Sequence, residues 1–270
     1  MVLTQLRERG FLDHPVYYQL SENVGIEVPI SRYTSCWDRE DLDQYEQDLF
    51  QSVFRLAERL QSPVTLIDAG ADIGVFSLKV ASHCPSVRQI IAFEPNRESH
   101  TWLKRNLDRL PYPAQALAKA VSDFEGRGAL RFPNYDPESA HACYLEASPD
   151  GPIEVVTIDS VNSPTSPPHD LILKLDLEGA EPAALRGAVR TIREARNAIV
   201  VLEAHPEVVK RTGIDPVESL RFLSSIRKFQ FSAGETGQTV VVDQPVFEQL
   251  PGGRIYNIIG RTNGTETPAK

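Results

Sequence analysis

Val64-Thr-Leu-Ile-Asp-Ala-Gly-Ala-Asp-Ile-Gly-Val-Phe-Ser-Leu-Lys-Val80 begins with four apolar or β-branched residues and ends on Val75, Phe76, Leu78 and Val80, with Asp68, Gly70 and Gly74 between them. The pattern predicts a buried strand that turns sharply into a helix. Glycine lets the backbone approach a ligand closely at such a turn, and the first N–H groups of the helix lack internal partners. The spacing Gly70-x-x-x-Gly74 is not that of a dinucleotide fold, and no Lys-Ser/Thr pair follows as in a P-loop. Asp68 at the strand end suits a ligand bearing amino or hydroxyl donors better than a pyrophosphate. The plain alternative is a structural turn that binds nothing.

Arg88-Gln-Ile-Ile-Ala-Phe-Glu-Pro-Asn96 reads as a second buried strand, closed by Glu94 and stopped by Pro95. It falls one strand-helix-strand step after the glycine turn. An acid there is placed to accept hydrogen bonds from both hydroxyls of a ribose; the alternative is an ordinary exposed acid. Together the two strand ends describe an adenosine-containing ligand lying across the carboxyl edge of a parallel sheet.

Asp68-Ala-Gly-Ala-Asp-Ile-Gly, Phe93-Glu-Pro-Asn, Ala120-Val-Ser, Leu173-Lys-Leu-Asp-Leu-Glu-Gly-Ala-Glu and Val201-Leu-Glu-Ala-His-Pro, in this order and spacing, resemble the FkbM family of S-adenosylmethionine-dependent methyltransferases. The resemblance runs from about Leu60 to Lys210, and the Lys-Leu-Asp-Leu-Glu-Gly-Ala-Glu run is its most specific part. The family usually has Asn where this chain has Asp72. The resemblance implies an α/β fold: a Rossmann-like seven-stranded class I methyltransferase sheet with helices on both faces, a last antiparallel strand entering between earlier ones, and an N-terminal helical cap. It implies S-adenosylmethionine held by Asp68, Gly70, Ala71, Asp72, Gly74, Glu94, Pro95, Asn96, Val121, Ser122, Asp123 and Asp176. The strand end from Val121 to Asp123 would lie beside the adenine; an ordinary turn acid before Gly126 is the alternative for Asp123.

Composition narrows the class. With 270 residues and 41% hydrophobic content, the chain can bury one large core. The division expected is an arm or cap over residues 1–40, a methyltransferase domain over 41–262 and a flexible tail over 263–270. A net charge of -9 argues against a nucleic-acid partner. Cys36, Cys84 and Cys143 make neither a disulfide framework nor a zinc site, which suits a reducing cytoplasm. No apolar run reaches membrane-spanning length and the first ten residues lack a signal-like core, so the expectation is a soluble, cytoplasmic, untargeted protein. Oligomeric state is left open.

In the arm, Phe11, Tyr17, Tyr18, Tyr33 and Trp37 either line a substrate pocket or cover one end of the sheet. Apolar positions three or four apart predict one amphipathic helix from Asp41 to Leu60, whose Tyr45 or Glu46 would reach the cofactor if it closes over the site. Ala116 to Val121 reads as a third strand, the stretch from Gly126 to Pro152 as a hairpin-like insertion carrying the loop residue His141, and Phe229, Thr239 and Ile255 as starts of late strands.

Lys174 lies inside the strand Leu171-Ile-Leu-Lys-Leu-Asp and needs a carboxylate partner, with Asp68 and Glu203 as candidates. Asp176, Glu178 and Glu181 crowd the following turn, where acids favour a cation, hold a divalent metal or suit a helix start. Glu203 and His205 share a side if extension continues. With the resemblance, His205 becomes the expected base, aided by Glu203 or Asp176, for methyl transfer to a hydroxyl of a small molecule or glycan. The rivals are Mg²⁺-assisted methylation of a carboxyl or hydroxyl through Asp176, Glu178 and Glu203, a nicotinamide oxidoreductase, and a cofactor-binding module without turnover.

Overall fold

The computed structural model of the chain describes residues 14–29, 39–131 and 144–262. Strands β1 (Pro15–Ser21) and β2 (Val24–Pro29) form an antiparallel hairpin. Then follow helices Arg39–Gln44 and Gln47–Ala57, β3 (Val64–Ala69), helix Val75–His83, β4 (Val87–Phe93), helix Arg97–Leu107, β5 (Ala114–Leu117), β6 (Lys119–Val121), β7 (Gly126–Arg131), β8 (Tyr144–Ala147) and β9 (Ile153–Val156). After a short helix come β10 (Asp170–Leu175), helices Glu181–Arg186 and Val189–Glu194, β11 (Ala198–Ala204), helices Pro206–Thr212 and Val217–Ile226, β12 (Phe229–Ala233), β13 (Thr239–Val240) and β14 (Tyr256–Thr262).

The main sheet runs β13-β12-β14-β11-β10-β3-β4-β5. Strands β11, β10, β3, β4 and β5 are parallel, and β14 enters antiparallel between β11 and β12, as expected. The described residues hold eight strands here, not seven, because the two-residue β13 pairs with the outer edge of β12. Strand alternation sends Ile67, Ile91, Leu173 and Val200 into one core and Leu66, Ile90, Ile172 and Val201 into the other. Helices Glu181–Arg186, Val189–Glu194 and Val217–Ile226 supply the first core, and helices Gln47–Ala57, Val75–His83 and Arg97–Leu107 the second. No helix among the described residues is long and apolar enough to cross a membrane.

Three expectations need correction. Within the expected cap, the described residues Pro15–Pro29 form the β1–β2 hairpin rather than a helix, and its Val24, Ile26 and Val28 belong to the second core. Asn106 locks it there: its Nδ2 donates to the carbonyls of Glu27 (3.1 Å) and Ile73 (2.9 Å), and its Oδ1 accepts the Glu27 N–H (2.8 Å). The helix expected from Asp41 to Leu60 is two helices, parted at Glu46 in a left-handed conformation with φ 46°. Lys79 Nζ donates to the carbonyls of Leu42 and Tyr45, both at 3.1 Å, so the first helix finds its C-terminal partner on another element. The third strand is likewise broken: β5 ends at Leu117 in the main sheet, whereas β6 joins a second sheet of order β6-β9-β7-β8. Phe11, Tyr33, Trp37, Cys36, His141, Cys143 and the tail 263–270 lie outside the described residues.

Candidate active site

From the neighbours β3 and β10 the chain winds outward in opposite directions, to β4 and β5 on one side and to β11 on the other. Their carboxyl ends therefore open the crevice at which such sheets take ligands. Gly70, at φ 82°, lies where the two turns touch: a Cβ there would stand 1.9 Å from the Asp176 carbonyl oxygen. The Asp176 N–H in turn donates to the Ala69 carbonyl at 3.0 Å. The missing side chain thus admits the neighbouring turn, where the sequence suggested a ligand. Gly70→Ala is expected to lower the urea midpoint, with roughly 1–3 kcal/mol from the backbone conformation alone and more from the clash.

Glu94 is buried at the end of β4 and ties that strand to the glycine turn. Its Oε2 accepts the Asp72 N–H at 2.9 Å and its Oε1 the Asn96 N–H at 2.7 Å. The N–H groups of Gly70 and Ala71 both reach the Phe93 carbonyl at 3.0 Å. Asp72 takes a left-handed φ of 47°, a conformation that Asp and Asn tolerate better than most side chains. Gly74, also left-handed, starts helix Val75–His83. Asn96, expected on the cofactor, caps helix Arg97–Leu107 by accepting from the Glu98 and Ser99 N–H groups, and Pro95 joins strand to cap.

Asp68 and Lys174 are partners in the β3–β10 register and both are buried. Ser77 Oγ donates to Asp68 Oδ2 at 2.7 Å, while the buried Oδ1 has no hydrogen-bond partner among the described residues. Of the partners expected for Lys174, neither Asp68 nor Glu203 makes the direct contact: Nζ reaches Asp176 Oδ2 at 2.6 Å. Burial opposes the ammonium charge, but Asp176, Glu46, Tyr45 and Asp68 outweigh it and hold the lysine pKa above its ordinary value. Burial raises the Asp68 pKa, opposed by Lys174 and the Ser77 hydrogen bond.

Glu203, at the end of β11, has its pKa raised by burial and then by Asp176, against Lys174, with Glu178 and Glu181 adding to the rise. Glu181 is buried and accepts the N–H groups of Leu177 (2.8 Å) and Gly179 (3.3 Å); burial still pushes its pKa up to about 7. It holds the turn in which Glu178 has φ 53° and Gly179 φ 103°. Extension does continue through His205, which caps helix Pro206–Thr212 by accepting the Glu207 N–H on Nδ1 at 3.1 Å. Burial lowers its pKa, so the ring is neutral near pH 7 with its proton on Nε2. A ring so held offers a donor; the lone pair expected of a base is already taken. Gly179, Glu181, Leu202, Glu203, His205 and Val208 border one recess.

Asp176, Glu178 and Glu203 do not form the Mg²⁺ site of the rival reading: among the described residues no three His, Cys, Asp or Glu are grouped to hold a metal. Asp176 faces Lys174, while Glu178 lies near Arg211. Val121 and Ser122 are buried at the end of β6, where the Ser122 N–H donates to the Val156 carbonyl at 3.0 Å. Asp123 accepts from Arg186 Nε at 2.8 Å, a bond that lowers its pKa. Asn257 and Glu235 were not anticipated. Asn257 Nδ2 donates to Glu46 Oε1 (3.0 Å) and Glu235 Oε1 (3.1 Å), fixing Glu46. The available signal was an asparagine inside the apolar run Ile255-Tyr-Asn-Ile-Ile.

A doubly wound sheet with one antiparallel insertion, and acids gathered where its winding reverses, define the class of Rossmann-like methyltransferases. A family model, the methyltransferase FkbM domain, matches residues 68–232. The chain belongs to this family and is an S-adenosylmethionine-dependent methyltransferase. It is 27% identical over 191 residues to the hexuronic acid methyltransferase AglP of Haloferax volcanii, covering 71% of this chain and 72% of that protein. It is 34% identical over 90 residues to the AMB antimetabolite synthetase AmbE of Pseudomonas aeruginosa, covering 33% of this chain and 4% of the synthetase. The crystal structure of methyltransferase FkbM from Methylobacillus flagellatus KT superposes with a TM-score of 0.50 at 18% identity, covering 86% of this chain. This chain spans 52% of that protein.

Proposed function

We propose that the protein methylates a hydroxyl group of a sugar acid or a glycan containing one. The methyl-transfer part of the reading is carried by the excess of carboxyl groups around the crevice: Asp68 and Asp176 act on Lys174, and Glu178, Glu181 and Glu203 lie about Asp176. A donor set of this kind fits a cationic cofactor, and the orphaned Asp68 Oδ1 is one acceptor that remains to be satisfied. When bound, S-adenosylmethionine supplies an electrophilic methyl group on a positively charged sulfur. Glu94 and the turn from Gly70 to Gly74 hold the ribose, since a carboxylate offers about four lone-pair directions and can serve backbone and hydroxyl together. Asp68 and Asp176 orient the amino-acid end, and Val121, Ser122 and Asp123 border the adenine.

Glu203 takes the proton of the attacking hydroxyl. Its carboxyl holds a proton more tightly than an ordinary glutamate, and cation charge nearby favours its ionised, basic form. His205 donates through Nε2–H and orients the acceptor. The similarity to a hexuronic acid methyltransferase supports a sugar-acid acceptor.

For Glu203→Gln, methyl transfer from labelled S-adenosylmethionine to a panel of uronides is expected to fall by about 10²-fold or more, the usual contribution of a general base. Cofactor affinity should be kept. A rate equal to that of the unaltered protein removes Glu203 as the base.

A further inference from the structure

We infer that Arg211, held against the ring of Tyr144 at the rim of the crevice, anchors the carboxylate of the acceptor and selects acidic over neutral sugars. The inference rests on the sugar-acid reading and gives it a specificity-determining residue. Inside the crevice, Asp176, Glu178, Glu181 and Glu203 offer a carboxylate no cation, and the one ammonium, Lys174, is buried against Asp176, so an acceptor presenting a hydroxyl there directs its own acid outward to another cation.

The neighbouring cations are engaged. Lys174 is buried against Asp176, Arg186 is bonded to Asp123, and Lys210 is bonded to Glu207. Arg211 differs. Its guanidinium lies 4.9 Å from the centre of the Tyr144 ring, at the start of β8. Its Nη2 donates to the Glu178 carbonyl and lies 4.0 Å from the Glu178 carboxylate. The side chain is partly exposed, and neither Nε nor Nη1 makes a hydrogen bond among the described residues. A second edge of the planar fork is therefore available to a carboxylate in the bidentate geometry that arginine favours.

The placement suits an acceptor. Helix Pro206–Thr212, which carries Arg211, begins at His205, and Arg211 acts on the His205 ring electrostatically. The same helix packs Val208 and Thr212 against Gly179, where a Cβ would meet them at 3.0 and 3.2 Å. Arg211 is thereby tied to the turn after β10, one step from the carboxyl groups of the crevice. Tyr144, from the second sheet, stacks on the guanidinium and limits its swing.

The test compares methyl β-D-glucopyranosiduronic acid with methyl β-D-glucopyranoside, each titrated by calorimetry into the protein saturated with S-adenosylhomocysteine. The unaltered protein is expected to bind the uronide about 10- to 100-fold more tightly, the ratio of a charge-assisted bidentate contact to none. Arg211→Gln should bring that ratio to about one, and Arg211→Lys should restore only part of it, because an ammonium lacks the fork. A ratio near one in the unaltered protein, or an unchanged ratio in Arg211→Gln, overturns the inference. So does a parallel loss of both ligands, which marks a residue that only buttresses the turn. If Arg211→Gln does not fold, Arg211→Lys decides by the same ratio. Methyl transfer is measured separately: a protein that binds the uronide through Arg211 yet never methylates a sugar refutes the proposed activity and leaves the anchor standing.

Discussion

Replacing Lys174 with methionine is expected to destabilise the protein by about 3–5 kcal/mol, the usual result of removing one partner from a buried ion pair. Lys174 is 4% exposed and Asp68 is fully buried, so Asp68 and Asp176 would be left facing each other without a cation. The penalty depends on pH. Asp68 and Glu46 have folded-state pKa values above those of the unfolded chain, so their ionisation works against folding as pH rises past the unfolded values. Lys174 offsets this. Its own raised pKa gives a contribution fully present below the unfolded lysine value and lost as pH climbs through the folded one. Urea unfolding of both proteins should therefore show a gap that widens from acid toward neutral pH. A gap of the same size at both would mean that lost packing against Phe76, whose ring centre is 5.6 Å from Nζ, explains the effect.

Glu94→Ala is expected to weaken S-adenosylmethionine binding by about 10- to 100-fold, as loss of charge-assisted hydrogen bonds does. The same carboxylate orders the Asp72 and Asn96 N–H groups, so the substitution also loosens the turn that carries Gly70. Glu94→Gln keeps an acceptor oxygen and should fall between the two in calorimetry. Full affinity in Glu94→Ala would remove the ribose assignment.

Several elements of this site are legible in the sequence. Four apolar residues before Asp68 and the apolar run before Glu94 mark adjacent parallel strands, because burial on both faces of a sheet leaves no polar alternation. Alternation within Leu171-Ile-Leu-Lys-Leu-Asp places Lys174 and Asp176 on one side, and the structure pairs them. Other features depended on contacts distant in sequence. Glu46 lies in a stretch of unbroken helical period, and only the capture of carbonyls by Lys79 and of its carboxylate by Asn257 breaks the helix there. His205 carries an imidazole, the usual side chain for a base near neutral pH, yet its lone pair is committed to the Glu207 N–H. Gly70 marks a close approach, but the group approaching is the Asp176 carbonyl.

The sequence by itself determined the buried strands of the parallel core and the acids that close β3, β4, β10 and β11, while the insertion of the last strand followed from the family resemblance alone. Periodicity and glycine placement are local properties, and burial imposes them residue by residue. Tertiary structure decided the partners: which carboxylate Lys174 meets, which ring nitrogen of His205 remains, and that Arg211 meets Tyr144 of the second sheet. Hydrogen bonds and ion pairs act over a few ångströms, so residues far apart in the chain acquire these roles only when folding brings them together.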